Sequence, residues 1–149
     1  TEEQLRAQLK RLLESQKMTE QEAECIRIRD IRRFVESGLG QRMKKAAMKK
    51  HLYREQPFVI QRSASMLDDG WKNETVLVQG IIDAYFMEGD EIVLVDYKTD
   101  RVKRGQEQKL IDLYHVQLED YARALERMTG KRVKEKMIYS FTLQKEILL

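Results

Sequence analysis

The chain has 149 residues, 42% of them hydrophobic, with 28 Lys and Arg against 25 Asp and Glu for a net charge of +3. That is enough for a single domain with one buried core, and the mild positive bias is compatible with a nucleic-acid partner without establishing one. No apolar run approaches the roughly 18–20 residues of a membrane span, the Thr-Glu-Glu-Gln start resembles no signal peptide, and the lone Cys25 excludes an internal disulfide or a four-cysteine iron–sulfur cluster, which together fit a reducing cytoplasm.

The first fifty residues read as helical. Thr1 with Gln4, and Thr19 with Glu22, have the spacing of a capping box, in which two side chains satisfy orphan amides at a helix start. Leu5, Leu9, Leu12 and Leu13 recur at helical spacing, as do Ala23, Ile26, Ile31, Phe34 and Val35, with a break expected near Arg29-Asp30. Ser37 is placed to cap a further short helix running to about Lys50. Residues 1–50 are thus expected to form a helical segment, and 51–149 an α/β core.

From Tyr53 to Gln61 the period changes to that of a strand, and Pro57 within it implies an edge or bulged position. The polar stretch from Ser63 to Asn73, with Asp68-Asp69-Gly70, reads as a loop. Thr75–Met87 and Glu91–Lys98 read as a hairpin turned at Gly89-Asp90. A basic connection from Asp100 to Gly105 leads into a long helix from about Gln106 to Met128, closed by Gly130. Its apolar stripe is Leu110, Tyr114, Leu118, Tyr121, Leu125 and Met128, and a last strand is expected over Val133–Leu143. Helices followed by strand, hairpin, helix and strand predict an α/β fold with a mixed central sheet flanked by helices.

The hairpin concentrates the chemistry. If Gly89 and Asp90 form the turn, Glu88 faces Glu91, and following the ladder back puts Asp83 opposite Asp96. Directly opposed side chains have Cβ atoms about 4.5–5.5 Å apart. Lys98, two residues beyond Asp96, projects from the same face. The flanking runs Val76-Leu77-Val78 and Ile92-Val93-Leu94-Val95 imply a sheet covered on both sides. Two opposed carboxylates there repel and lose solvation, so either a divalent cation neutralises them or Lys98 offsets one of them at the sheet end. Oxygen ligands favour Mg²⁺ or Mn²⁺. Gln117 and Tyr121 lie one turn apart on one face of the long helix; spacing alone leaves both site and packing roles open for them. Glu55 is open to a supporting role or a surface one. Trp71 could stack on bases or simply pack.

Gly80-Ile81-Ile82-Asp83, Asp96-Tyr97-Lys98-Thr99-Asp100 and Gln117 with Tyr121 together resemble the RecB-type branch of the PD-(D/E)xK nucleases, particularly the nuclease domains of bacterial ATP-dependent helicase/nucleases. Arg54-Glu55-Gln56-Pro57-Phe58 adds to the likeness, which runs from about Tyr53 onward and more loosely through the earlier helices. The resemblance implies a restriction-endonuclease-like fold and a metal-dependent DNA exonuclease that processes double-strand breaks for recombinational repair. It implies Asp83, Asp96 and the backbone carbonyl of Tyr97 as ligands of Mg²⁺ or Mn²⁺. Lys98 would act on the attacking water and the phosphate, and Gln117 and Tyr121 would line the site. Implied partners are DNA, the helicase portion of the same polypeptide and a second helicase/nuclease subunit. Arg101, Lys103 and Arg104, just past the lysine, are the expected phosphate contacts; Arg42, Lys44, Lys45, Lys49, Lys50 and Arg54 form another basic cluster that reads equally as a solvated face.

One departure stands out. RecB-type nucleases usually carry a further ligand, often a histidine, on an early helix, and neither His51 nor His115 matches it. No Gly-rich loop ending in Gly-Lys-Ser/Thr is present either. The expectation is therefore a piece of a larger helicase-nuclease that begins downstream of that histidine and cuts weakly by itself. Two other readings stay open: a non-catalytic nuclease-fold module that binds DNA or docks a partner, and a complete restriction-type or archaeal resolvase-type enzyme. Retention of Asp83, Asp96 and Lys98 argues for chemistry.

Overall fold

The computed structural model describes residues 1–24, 26–63 and 74–149. The expected loop with Asp68-Asp69-Gly70, Trp71 and Cys25 fall outside those residues. The chain divides into two compact units, Thr1–Arg42 and Met43–Leu149.

The first unit contains α1 (Glu2–Glu14), α2 (Glu20–Glu24), α3 (Ile28–Glu36) and the start of α4 (Gly38–Met48). Both expected capping boxes form. The Thr1 hydroxyl accepts the Gln4 amide (3.3 Å) while the terminal amine donates to Gln4 Oε1 (2.8 Å). Thr19 and Glu22 exchange the equivalent bonds, at 2.8 and 3.2 Å. The break falls earlier than Arg29-Asp30: α3 begins at Ile28 because Arg27 is extended (φ −89°, ψ 97°). Ser37 caps as expected, its hydroxyl accepting the Gly40 amide at 3.0 Å. Gly40 is obligatory there, since a Cβ would stand 2.1 Å from the Phe34 carbonyl oxygen. None of α1, α2 or α3 has a fully buried side chain.

The second unit is a five-stranded mixed sheet in the order β1 (Leu52–Ser63), β2 (Thr75–Glu88), β3 (Glu91–Lys98), β4 (Val133–Ser140), β5 (Lys145–Leu148). Pro57 sits on edge strand β1, where its missing amide costs no inner ladder bond. The strands pair antiparallel except β3 with β4, which are parallel and joined by the crossover helix α5 (Glu107–Thr129). Gly130 ends α5 in the left-handed conformation (φ 70°), as its C-cap position requires. The expected strand to Leu143 is corrected: β4 stops at Ser140, residues 141–144 turn, and a short β5 returns alongside.

Leu110, Leu118, Tyr121 and Leu125 of α5 pack with Phe58, Ile60, Ile82, Tyr85, Ile92, Leu94 and Ile138 of the sheet. At about 25 cal/mol per Å² of apolar surface, such fully buried side chains contribute about 1.5–3 kcal/mol each. Phe86, Val93, Val95, Met137 and Tyr139 are also buried but outside that cluster. Tyr97, which alternates with Val93 and Val95 along β3, sends its hydroxyl to the Met43 sulfur of α4 (3.8 Å). Coverage on both sides holds for β3 but not for the distal part of β2, where Leu77 is 69% and Ile81 59% exposed. Across the ladder from these two lie Gln61 and Pro57 of the edge strand, so the apolar run faces solvent there.

Candidate active site

The β2–β3 ladder has the register the turn dictates, from Glu88 opposite Glu91 to Ala84 opposite Val95. Regular pairing stops there, one step short of Asp83 and Asp96. Instead of a ladder bond, the Tyr97 amide donates to Asp83 Oδ2 at 2.9 Å. Alternation along β2 also slips here, because Ile82 and Tyr85, three residues apart, join the same core cluster. Across from Asp83 in the β1 register, Glu55 takes a left-handed φ of 50°, and its side chain is exposed. The distortion frees Asp83 from strict pleating and turns its carboxylate to the Tyr97 amide. An N–H and C=O of one extended residue project to the same strand edge, so the Tyr97 carbonyl is directed to the Asp83 side too.

Asp96 is 3% exposed. Burial raises its pKa above the ordinary carboxylate value; the Lys98 ammonium pulls it down, and the Asp83 carboxyl, within hydrogen-bonding reach, pushes it up again. Lys98 Nζ lies 2.7 Å from Asp96 Oδ2 as an ion pair without hydrogen-bond alignment, and among the described residues that buried oxygen has no hydrogen-bond donor. The same ammonium donates to Gln117 Oε1 (3.1 Å) and stands 3.9 Å from the centre of the Tyr114 ring. The Tyr114 hydroxyl in turn donates to the Asp100 carboxylate at 2.9 and 3.0 Å. Tyr121 packs edge-to-face on Phe58, 5.0 Å between ring centres. Burial first, then the charges of Asp96 and Asp83, raises the Tyr121 pKa, so it remains a neutral phenol.

The fold therefore brings together Asp83, Asp96, Lys98, Gln117 and Tyr121. Arg101, Lys103 and Arg104 remain exposed in the connection to α5. His115 is exposed, its Nδ1 3.1 Å from the Asp112 carbonyl, and His51 is exposed before β1. The part that Tyr114 and Asp100 play in holding Lys98 is not evident from the sequence reading, which places Tyr114 only in the apolar stripe. Its position one turn before Leu118 and three residues before Gln117 is nonetheless a usable signal.

Whether these residues suit a cation turns on their donors. Two hard carboxylates, one of them buried with only the Lys98 ammonium against its Oδ2, are donors that suit a divalent ion. Among the described residues, however, no group of three or more His, Cys, Asp or Glu is arranged to hold a metal. Two carboxylates and the Tyr97 carbonyl could hold only a cation that completes its shell with several waters.

The family profile of the PD-(D/E)XK nuclease superfamily matches residues 1–147. The chain belongs to this superfamily. An ATP-dependent helicase/nuclease subunit of Clostridium novyi (strain NT) is 39% identical to it over 152 residues, covering 99% of this chain and 12% of the relative. The subunits of the same name from Acetivibrio thermocellus and Thermoanaerobacter sp. (strain X514) are 44% and 41% identical, covering 93% and 92% of this chain and 11% of each relative. The chain thus spans about an eighth of the length of these relatives. Membership supports a nuclease role, and the superfamily generally works with divalent metals. The restriction-endonuclease-like α/β fold of this PD-(D/E)XK member is as expected, and no helix among its described residues is long and apolar enough to cross a membrane.

Proposed function

We propose that this chain is a divalent-metal-dependent DNA exonuclease domain, part of a larger cytoplasmic helicase-nuclease that processes double-strand breaks for recombinational repair. The observation that carries this reading is the convergence of Asp83, the buried Asp96 and Lys98 at the point where the hairpin ladder stops. Asp83, Asp96 and the Tyr97 carbonyl would hold Mg²⁺ or Mn²⁺. Such an ion supplies Lewis-acid activation of the phosphodiester and of a water bound to it. The chain's own groups do the rest. Lys98 Nζ orients the water and offsets charge developing on the phosphate. Gln117 and the Tyr114 ring fix the ammonium, leaving few alternative rotamers. Tyr121 offers its phenolic proton beside the carboxylates. The exposed Arg101, Lys103 and Arg104 contact DNA phosphates. The proposed protein partners are the helicase portion of the same polypeptide and a second helicase/nuclease polypeptide, as the names of the relatives suggest.

The alternative is a catalytically incomplete nuclease-fold module for DNA binding or partner docking. What favours it is that, among the described residues, two acidic side chains and no third one are arranged to hold the ion. Calorimetric titration with Mn²⁺, paired with linear-DNA cleavage by the same samples, decides between them. Binding and cutting that vanish in both Asp83→Ala and Asp96→Ala support the enzyme. DNA binding without Mn²⁺ uptake or cleavage supports the module.

A further inference from the structure

A second basic site lies on the same side of the sheet, beyond the Phe58–Tyr121 contact. Along β1, Phe58, Ile60 and Arg62 alternate toward one face. Opposite them, the flank of α5 presents Asp120, Arg123, Glu126 and Arg127. With Ile60, Gln61 and Arg62 of β1 they line a cavity of about 450 Å³ that opens to solvent. Its two acids are already committed. Asp120 Oδ2 accepts from Arg62 Nη1 at 3.0 Å, and Glu126 Oε1 accepts the Val133 amide at 3.0 Å. Of its basic groups, Arg62 is ion-paired with Asp120. Arg123 and Arg127, one helical turn apart and exposed, have no hydrogen bond or ion pair among the described residues.

We infer that this cavity is a phosphate subsite for single-stranded DNA, separate from the carboxylate site and from the connection holding Arg101 to Arg104. The inference rests on the nuclease reading for its choice of polyanion. Arg62 is paired with Asp120, yet three guanidiniums against two carboxylates leave the cavity lining net positive. Two further guanidiniums at the rim supply the planar donor pairs that phosphates accept. Placement fits a strand that also reaches the carboxylates. Arg123 and Arg127 lie about 9 and 15 Å along the helix axis from Gln117. At 3.4 Å per nucleotide of stacked strand, that is about three to four nucleotides away. The site would grip the strand upstream or downstream of the bond being cut and so favour substrates long enough to span both.

The test is fluorescence anisotropy of a fluorescein-labelled 12-nucleotide oligothymidylate with the 149-residue chain in EDTA, over a series of KCl concentrations. Arg123→Ala/Arg127→Ala should weaken binding and flatten the plot of log affinity against log salt by about 1.4, from about 0.7 per phosphate on single strands. Arg6→Ala/Arg11→Ala, an equal loss of charge on α1, should leave the slope unchanged. Both pairs remove only exposed side chains, and circular dichroism melts verify that the variants stay folded. An unchanged slope in the Arg123/Arg127 variant, an equal drop in the α1 variant, or no binding by the parent chain overturns the subsite. The nuclease reading is judged separately, by linear-DNA cleavage in Mn²⁺ by the parent and Asp96→Asn, so either idea can fail while the other stands.

Discussion

Asp96 is pulled two ways. Burial and Asp83 disfavour its charge, Lys98 favours it, and the balance leaves its pKa raised. In the metal-free fold it therefore keeps a proton that the unfolded chain has released, over the interval between the two pKa values. Stability falls as pH rises through that interval and stays lower above it. Asp96→Asn mimics the neutral form. It should abolish cleavage yet raise the melting temperature of the metal-free protein at pH 8, with little effect near pH 4, where the unfolded carboxyl also begins to protonate. In a chain of this size about 1 kcal/mol corresponds to about 2–4 °C. Melts in EDTA at the two pH values check this, and a lower melting temperature at pH 8 would refute it. Lys98 offers a second residue-level prediction. Tyr114→Phe keeps the ring over the ammonium and loses only the bond to Asp100, whereas Tyr114→Leu loses the ring. Since a cation–π contact is worth about 0.5–2 kcal/mol, the leucine variant should lose about 2- to 30-fold in kcat and the phenylalanine variant clearly less. Equal losses would assign the effect to the hydroxyl.

Among the elements, the hairpin was legible and its irregularity was not. Gly89, at φ 63°, fixes a two-residue turn, and everything from Glu88–Glu91 to Ala84–Val95 follows from counting outward. The slip at Asp83 lies opposite Glu55 on another strand, whose left-handed backbone was foreshadowed only by the bulge that Pro57 allows in β1. The same distinction separates the caps, which depend on residues three apart, from the Lys98–Tyr114 contact, which depends on how α5 lies across β3. Four-residue β5 lacked the length to show a period, and it lies beyond the expected strand, which ended at Leu143. Met128, placed in the buried stripe by spacing, is 49% exposed because position on a helix face does not say where the sheet beneath it ends. Gly80 tests the sheet itself. A Cβ there would stand 2.9 Å from the Phe58 ring, which packs on Tyr121. Gly80→Ala should push that ring against Tyr121, costing about 1–3 kcal/mol. Denaturant unfolding measures the loss, and Phe58→Leu in the same background should recover part of it; no recovery would place the strain elsewhere.

At the scale of the whole molecule, a net charge of +3 is too small to steer a polyanion by itself, so placement of the basic groups has to do so. Arg101, Lys103 and Arg104 precede the N-terminus of α5, while Arg123 and Arg127 are near its other end. The rise of the helix from its first residue, Glu107, to Arg123 and Arg127 is about 24–30 Å, well beyond the range at which substitutions couple. If both grip one strand, they neutralise different phosphates and their effects on salt dependence should add. Neutralising Arg101, Lys103 and Arg104 to Gln should flatten the slope by up to about 2, and removing Arg123 and Arg127 by a further 1.4 or so. The combined variant should show the sum on a 12-nucleotide strand. On a trinucleotide, too short to span α5, the combined loss should be no larger than the greater of the two single losses. A combined slope equal to either single variant on the long strand would mean that the two groups compete for the same phosphates, and the path along α5 would have to be abandoned.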